Sequence, residues 1–137
     1  MLVAAAGNNG PSAPPAYPAA YRDVIAVTAV DQDGTIFQEA NRGDYIAFAA
    51  PGVRIWSPGG GSFGQYLSGT SFATPFVAAM AALTVAHEGS SDPDAVRQAL
   101  VAHAQHLGPP GKNPIYGYGL LKAASACGAG GFSASSL

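Results

Sequence analysis

The stretch SGTSFATPFVAAMAALTVAH, residues 68–87, decides the fold of this chain. A glycine turn leads into apolar residues at helical spacing, and the alanines among them permit close packing. Pro75 lies near the start of this run, where its missing N–H costs little, so the helix should begin close to Ser71. The pattern therefore predicts a largely buried helix from Ser71 to about His87, with a serine hydroxyl at its N-terminus.

Short apolar runs precede this helix along the chain. Residues 24–30 are almost wholly apolar and rich in β-branched side chains, which is typical of a parallel strand covered on both faces. Further strands are predicted at residues 2–6, 45–49 and 53–56, where turn residues bound each apolar run. Residues 62–67 favour one arm of a hairpin. These runs predict a sheet that precedes the helix.

Two further helices are predicted after His87. Asp92 fits an N-cap and Pro93 a first helical position, and the amphipathic run that follows them should end near His106. A final short helix is predicted at residues 120–126. Because strands and helices interleave along the chain, the predicted fold class is α/β.

Composition limits the kinds of partner that the chain can have. Its 137 residues are 48% hydrophobic and 10% charged, enough for one compact core. A net charge of −2 offers no basic stripe, so neither nucleic acid nor a membrane is expected as a partner. No apolar run approaches the roughly 20 residues of a membrane span. The single cysteine, Cys127, begins a tail of small residues, 127–137, that we expect to be flexible.

Two polar residues stand where chemistry could occur. Ser71 is at the predicted helix start, where helix-terminal N–H groups suit a developing oxyanion, so it is a candidate nucleophile. Asn8 follows a predicted strand within a glycine-flanked turn, where its side-chain amide could donate to a substrate oxygen. Spacing alone favours the ordinary interpretation, in which Ser71 is a helix N-cap and Asn8 is a turn residue.

The two segments together resemble a known family. GTSFATPFVA, residues 69–78, is similar to the signature Gly-Thr-Ser-x-Ala-x-Pro around the nucleophilic serine of subtilisin-like proteases, and AAAGNNG, residues 4–10, is similar to their oxyanion-hole segment. The resemblance continues through YPAAY at 17–21, APGV at 50–53 and YGYGLL at 116–121. It implies that residues 1–126 are the C-terminal portion of a subtilase catalytic domain. That domain is a parallel-sheet fold with helices on both faces, incomplete as a single chain.

The resemblance also implies an activity and a site. The activity is that of a serine endopeptidase, in which Ser71 attacks the peptide carbonyl and Asn8 stabilises the oxyanion. Pro18 would follow a cis peptide bond. No cofactor is required, but the backbone carbonyls of Ala19, Tyr21 and Val24 fall where relatives bind a weak structural calcium or monovalent cation. The implied substrate-binding residues are Ala5, Ala6, Gly7, Ala16, Gly69 and Thr70.

The rest of the family's catalytic triad has no match in the sequence. The family orders its triad as Asp, His and Ser, and neither Asp-Thr-Gly nor His-Gly-Thr occurs here. His87 would lie about 24 Å from Ser71 along the helix, at about 1.5 Å per residue. His103 and His106 are predicted on the last turn of the next helix. The general base is therefore expected from an N-terminal half of the domain, outside these residues, and the isolated chain should be inactive.

Two functions remain open at this point. The first is a peptidase, with peptide or protein substrates and, as for most relatives, an extracellular location. The second is a non-catalytic subtilase-like module that binds peptide or assembles with itself. In either case, exposed apolar edges such as residues 2–6 predict a homodimer or a strand-exchanged oligomer.

Overall fold

The computed structural model describes residues 1–58 and 64–122. Five strands come first along the chain: β1 Leu2–Ala5, β2 Val24–Val30, β3 Ile46–Pro51, β4 Ile55–Ser57 and β5 Gln65–Leu67. Two helices follow, α1 Thr70–Glu88 and α2 Pro93–His103. Each strand predicted from the sequence overlaps one of these strands.

The sheet that positions the site is parallel and has the order β1-β2-β3. β2 is central and every one of its residues is buried, which explains why all of its residues except Thr28 are apolar. β1 pairs with β2 through Ala5 and Val27 at its carboxyl end. β4 and β5 form an antiparallel hairpin just before α1. The predicted α/β class with a parallel sheet is confirmed.

The two faces of this sheet are covered differently. Ile25, Val27 and Ala29 of β2 share a hydrophobic cluster with side chains of both α1 and α2. Val30 and Ala49 belong to a second cluster, against which the loop residues Ile36, Leu107 and Tyr116 pack. Within the described ranges both helices therefore belong to one cluster, and the partly buried residues that pack against the second cluster lie in loops.

Helix α1 is less buried than its sequence predicted. Only Thr70, Ala73, Val77, Met80 and Ala81 are buried among its 19 residues, while Phe76 and Leu83 are 43% and 42% exposed. The helix is apolar beyond the stripe that the sheet covers. Contrary to the sequence expectation, α1 is long and apolar enough to cross a membrane by length and composition alone. Its contacts with β1, β2, β3 and α2 are those of a helix packed within a folded domain.

The end of the described chain corrects two predictions. α2 begins as predicted, with the Asp92 carboxylate accepting from the Ala95 N–H, but it ends at His103. Residues 120–122 are not helical, because Leu120 pairs with Ala49 of β3 and with Gln105. These backbone pairings outweigh the local preference for a helix. Residues 123–126, and the predicted tail 127–137 with Cys127, lie outside the described residues.

Gly117 allows this last segment to approach β3, which gives a prediction about stability. Gly117 has φ 62°, and a Cβ there would overlap the carbonyl of Ala47. Gly111 has a similar φ of 78°, but a Cβ there would meet nothing within 4 Å, so Gly111 isolates the cost of the backbone angle. We expect Gly117→Ala to lower the unfolding free energy by at least about 3 kcal/mol and Gly111→Ala by about 1 kcal/mol. Equal losses in urea denaturation would contradict this packing.

Candidate active site

Asn8 is held at the start of helix α1 by Thr70. Its side-chain Oδ1 accepts from the Thr70 backbone N–H at 2.9 Å and from the Thr70 hydroxyl at 2.9 Å. Two donors on one atom assign that atom as the oxygen, which fixes the orientation of the carboxamide. Within residues 1–58 and 64–122, Nδ2 of Asn8 makes no hydrogen bond. Asn8 is exposed, so this N–H₂ group can donate to another molecule.

Thr70 connects the turn after β1 to the first turn of α1. It is fully buried, and its hydroxyl oxygen also accepts from the Gly7 N–H at 3.2 Å. Gly69 precedes it as the helix N-cap, with φ 153° and no side-chain capping bond. A Cβ at Gly69 would lie 3.3 Å from Asn8 Nδ2, so glycine leaves room for the carboxamide. Asn8 therefore lies directly against the residues that precede Ser71.

Ser71 is the second residue of α1 and is exposed. The N-cap is Gly69, so the interpretation of Ser71 as an ordinary helix cap is wrong. Its hydroxyl makes no hydrogen bond in the described part of the chain, and the unpaired N–H groups of a helix start give its surroundings a positive potential. The structure thus brings together an accessible hydroxyl and the turn that carries an oriented amide donor.

The predicted substrate-binding residues before Asn8 continue strand β1 into its turn. Ala5 and Gly7 are half-buried, whereas Ala6 is fully buried. The Ala6 N–H donates to the Val27 carbonyl at 2.9 Å, and its own carbonyl accepts from the Tyr45 hydroxyl at 2.8 Å. Ala6 can therefore contribute to a pocket only through the shape of the backbone around it.

The remaining predicted positions lie in the loop between β1 and β2, except Val24, which is the first residue of β2. Ala16 is half-buried, and its carbonyl accepts from the Ala20 N–H at 2.8 Å. The peptide bond Tyr17–Pro18 is cis, as the resemblance implied. Of the three carbonyls predicted to bind a cation, that of Tyr21 accepts from the Val24 N–H at 3.1 Å, and Ala19 is buried.

The three histidines lie at or beyond the C-terminal ends of α1 and α2, and none of them belongs to the start of α1, which carries Ser71. His87 is the penultimate residue of α1, which puts it about 24 Å from Ser71 at about 1.5 Å per residue. His103 is the last residue of α2, and His106 lies beyond the end of that helix rather than on its last turn. Among the described residues, no group of three or more His, Cys, Asp or Glu side chains could hold a metal ion.

Two residues that contact this region, Tyr45 and Asn41, are not indicated as site residues by any sequence pattern. Tyr45 donates to Ala6, and Asn41 is hydrogen-bonded to the residues on both sides of Asn8. Both belong to NRGDY, residues 41–45, which has the composition of an ordinary polar turn. Asn41 lies 32 residues from its partner Asn9, so no local pattern could have found it.

Removing the Thr70 hydroxyl tests the contact between turn and helix. Thr70→Val should lower the unfolding free energy by about 1–3 kcal/mol, because it leaves the Gly7 N–H and Asn8 Oδ1 with fewer partners. Thr74→Val in the same helix removes only a hydroxyl that donates to the Thr70 carbonyl, so its expected cost is about 0.5 kcal/mol or less. Urea denaturation of both variants measures the difference, and an equal loss would refute the special role of Thr70.

Comparison with known proteins identifies the class of this fold and site. The family model described as the subtilase family matches residues 1–119. The chain is 42% identical over 126 residues to the thermostable alkaline protease of Halalkalibacterium halodurans, covering 92% of this chain and 34% of that protein. It is 37% identical over 122 residues to the minor extracellular protease Epr of Bacillus subtilis, covering 89% of this chain and 19% of that protein.

Solved structures agree with this assignment. A lanthipeptide protease superposes with a TM-score of 0.78 at 27% identity, over 91% of this chain and 49% of that one. The prenylagaramide maturation protease PagA superposes with a TM-score of 0.74 at 32% identity, over 92% and 49%. The chain belongs to the subtilase family of serine proteases. It spans about half the length of these two structures, about a third of the Halalkalibacterium halodurans protease and about a fifth of Epr.

Proposed function

We propose that this chain supplies the nucleophile and an oxyanion donor of a serine endopeptidase. Ser71 Oγ would attack the carbonyl carbon of a peptide bond, and Asn8 Nδ2 would donate to the oxygen as it becomes negative. The observation that carries this proposal is the orientation of Asn8, whose oxygen is held by two Thr70 donors while its N–H₂ group remains available. A donor fixed before the reaction needs no reorganisation when charge develops, which is how such groups lower the barrier.

The reaction also needs a base, and we propose that none of the histidines of this chain supplies it. In acyl transfer, the base takes the Ser71 proton as the Oγ–C bond forms and delivers it to the leaving amine as the C–N bond breaks. Water then hydrolyses the ester and restores the hydroxyl. We propose that the histidine and its orienting aspartate come from another segment of the catalytic domain. The isolated chain should then be inactive, because an unassisted serine is a poor nucleophile at neutral pH.

The exposed apolar surface supports a partner segment of this kind. β1 is an edge strand, and its Leu2 is 67% exposed. Phe76 and Leu83 of α1 are also exposed, so apolar groups remain uncovered on both the sheet edge and the helix. The remainder of the catalytic domain would cover this surface. Without it, we propose that copies of the chain associate with one another, as a homodimer or by strand exchange.

The substrate would be a peptide or protein, and its binding site would lie beside Asn8. We propose that Ala5, Ala6, Gly7 and Ala16 contribute its walls through their backbone and small side chains, with Gly69 on the side of α1. Thr70 would act by orienting Asn8, since its side chain is buried and fully engaged. One relative is named an extracellular protease, which supports an extracellular location for the protein that contains this chain.

A structural cation near residues 19–24 is a further part of the proposal. The carbonyls of Ala19, Tyr21 and Val24 offer only oxygen donors, which suit calcium or a monovalent cation. The Tyr21 carbonyl already accepts one hydrogen bond, from Val24, and a carbonyl oxygen has a second lone pair for an ion. Such an ion would stabilise this loop and would take no part in the acyl transfer.

A chimeric enzyme tests the proposed function. Residues 1–126 would replace the segment they match in the Halalkalibacterium halodurans protease, whose remaining chain would supply the base. We expect the chimera to cleave casein and to react at Ser71 with a fluorophosphonate probe. A folded chimera with neither property would instead favour a non-catalytic module that binds peptide or assembles with itself.

A further inference from the structure

Asn41 lies against the turn that carries Asn8 and contacts it on both sides. Asn41 is 2% exposed, and its backbone N–H donates to the Gly7 carbonyl at 3.0 Å. Its side-chain Oδ1 accepts from the Asn9 N–H at 2.8 Å, and its Nδ2 donates to the Pro14 carbonyl at 3.2 Å. We call these three hydrogen bonds the Asn41 clamp. They fix the backbone immediately before and immediately after Asn8.

The segment that carries Asn41 is itself anchored to the sheet. The Phe37 N–H donates to the Ala29 carbonyl of β2 at 2.9 Å, and the Ala40 N–H donates to the Phe37 carbonyl at 3.0 Å. A further bond joins this segment to the turn, from the Gly10 N–H to the Glu39 carbonyl at 2.8 Å. The Asn41 clamp therefore connects the turn to β2, a strand that is wholly buried.

Two glycines in the turn show how closely Asn41 packs there. A Cβ at Gly7, where φ is 107°, would lie 2.7 Å from Asn41 Nδ2. Gly10 has a similar φ of 99°, yet a Cβ there would meet nothing within 4 Å. Any side chain at Gly7 would therefore push the Asn41 carboxamide away, whereas one at Gly10 would not.

We infer that Asn41 is a positioning residue for the Asn8 amide donor, a conclusion whose catalytic meaning rests on the proposed function. Thr70 binds the carboxamide oxygen of Asn8, but that contact forms only if the backbone places Asn8 beside the start of α1. The Asn41 clamp determines this backbone position, since Asn41 is hydrogen-bonded to Gly7 and to Asn9. Donors of this kind need placement within about 0.5 Å, which a free glycine-rich turn does not provide.

Amide hydrogen exchange at Thr70 reports on this positioning. The first N–H groups of a helix have no acceptor within the helix, and within residues 1–58 and 64–122 the acceptor of the Thr70 N–H is Asn8 Oδ1. Site-resolved exchange on the intact 137-residue chain should show Asn41→Ala accelerating exchange at both Asn9 and Thr70 by about 3- to 10-fold or more. Asn8→Ala should accelerate exchange at Thr70 but not at Asn9.

Asn113 provides a matched control, since it is also a buried asparagine that holds a loop. It is 5% exposed, and its side chain bonds the Leu107 carbonyl and the N–H groups of Ile115 and Tyr116. Asn113→Ala should accelerate exchange at Ile115 and Tyr116 and leave Thr70 unchanged. Equal acceleration at Thr70 in both alanine variants would mean that Asn41 acts only through general stability and would overturn the inference.

Further variants keep the test decisive if Asn41→Ala does not fold. Gly7→Ala should accelerate exchange at Asn9 and Thr70, while Gly10→Ala should not. Asn41→Asp keeps an acceptor for the Asn9 N–H, so it should preserve Asn9 protection better than Asn41→Ala. Unchanged Thr70 exchange in folded Gly7→Ala and Asn41→Ala would refute the positioning role. These measurements involve no chemistry at Ser71, so an inert Ser71 would refute the proposed function and leave this inference standing.

Discussion

Ser71→Ala is expected to abolish proteolysis by the chimeric enzyme. In subtilisin, a member of this family, loss of the corresponding serine lowers kcat by about 10⁶-fold, and we expect a loss of that order here. In the proposed mechanism Ser71 would supply the atom that bonds to the substrate, so its removal would leave only binding and the oxyanion donors. A 10⁶-fold loss corresponds to about 8 kcal/mol of barrier.

Ser68→Ala is the matched control for this variant. Ser68 belongs to the same stretch, and its hydroxyl oxygen accepts from the Arg54 N–H at 2.9 Å. Its loss should change kcat by less than about tenfold, the usual range for one hydrogen bond away from the reacting atoms. If Ser71→Ala retained activity within tenfold of the parent chimera, or if Ser68→Ala were equally inactive, Ser71 would not be the nucleophile.

Asn8→Ala is expected to have the second-largest effect, on kcat rather than KM. For subtilisin, removal of the corresponding asparagine costs about 10²–10³ in kcat, or about 2.7–4 kcal/mol, and the same range is expected here. The amide of Asn8 would donate to an oxygen whose charge develops in the transition state, so substrate binding in the ground state should change little. Steady-state kinetics on a peptide amide separate the two parameters.

Asn9→Ala provides the comparison for Asn8→Ala. The two residues are adjacent and both exposed, but among the residues that the structure describes Asn9 is bonded through its backbone N–H, to Asn41 Oδ1, and not through its side chain. We expect its kcat to remain within about tenfold of the parent. A rise in KM with unchanged kcat in Asn8→Ala would show that Asn8 binds substrate without stabilising the transition state.

Much of the fold could be predicted because local patterns and tertiary packing agree. Six of the seven buried residues in β2 are apolar, and Asp92 with Pro93 is a sequence pattern that predicts the start of α2 correctly. Ser71 could be placed at a helix start for the same reason. The prediction of a helix at residues 120–122 is wrong because Leu120 pairs with Ala49 and Gln105. These partners are distant in the sequence, so the local pattern does not indicate them.

The arrangement of the site could be predicted only in outline. The two motifs indicated that Asn8 and Ser71 act together, but the bonds that connect them run through Thr70, which is 62 residues from Asn8. The partial exposure of α1 could not be predicted either. An apolar helix sequence does not show which faces of the helix are covered by other described residues. Hydrogen bonds and packing between distant segments leave no periodic signal in one sequence.

A crystal structure of the chimera with a peptide boronic acid would test the shared role of Ser71 and Asn8 most directly. The boron should be bonded to Ser71 Oγ, with one boronate oxygen about 2.7–3.1 Å from Asn8 Nδ2 and Asn8 Oδ1 still accepting from Thr70. An adduct on Ser71 whose oxygens all lie beyond hydrogen-bonding distance of Asn8, or an adduct on another residue, would contradict the pairing of this hydroxyl with this amide.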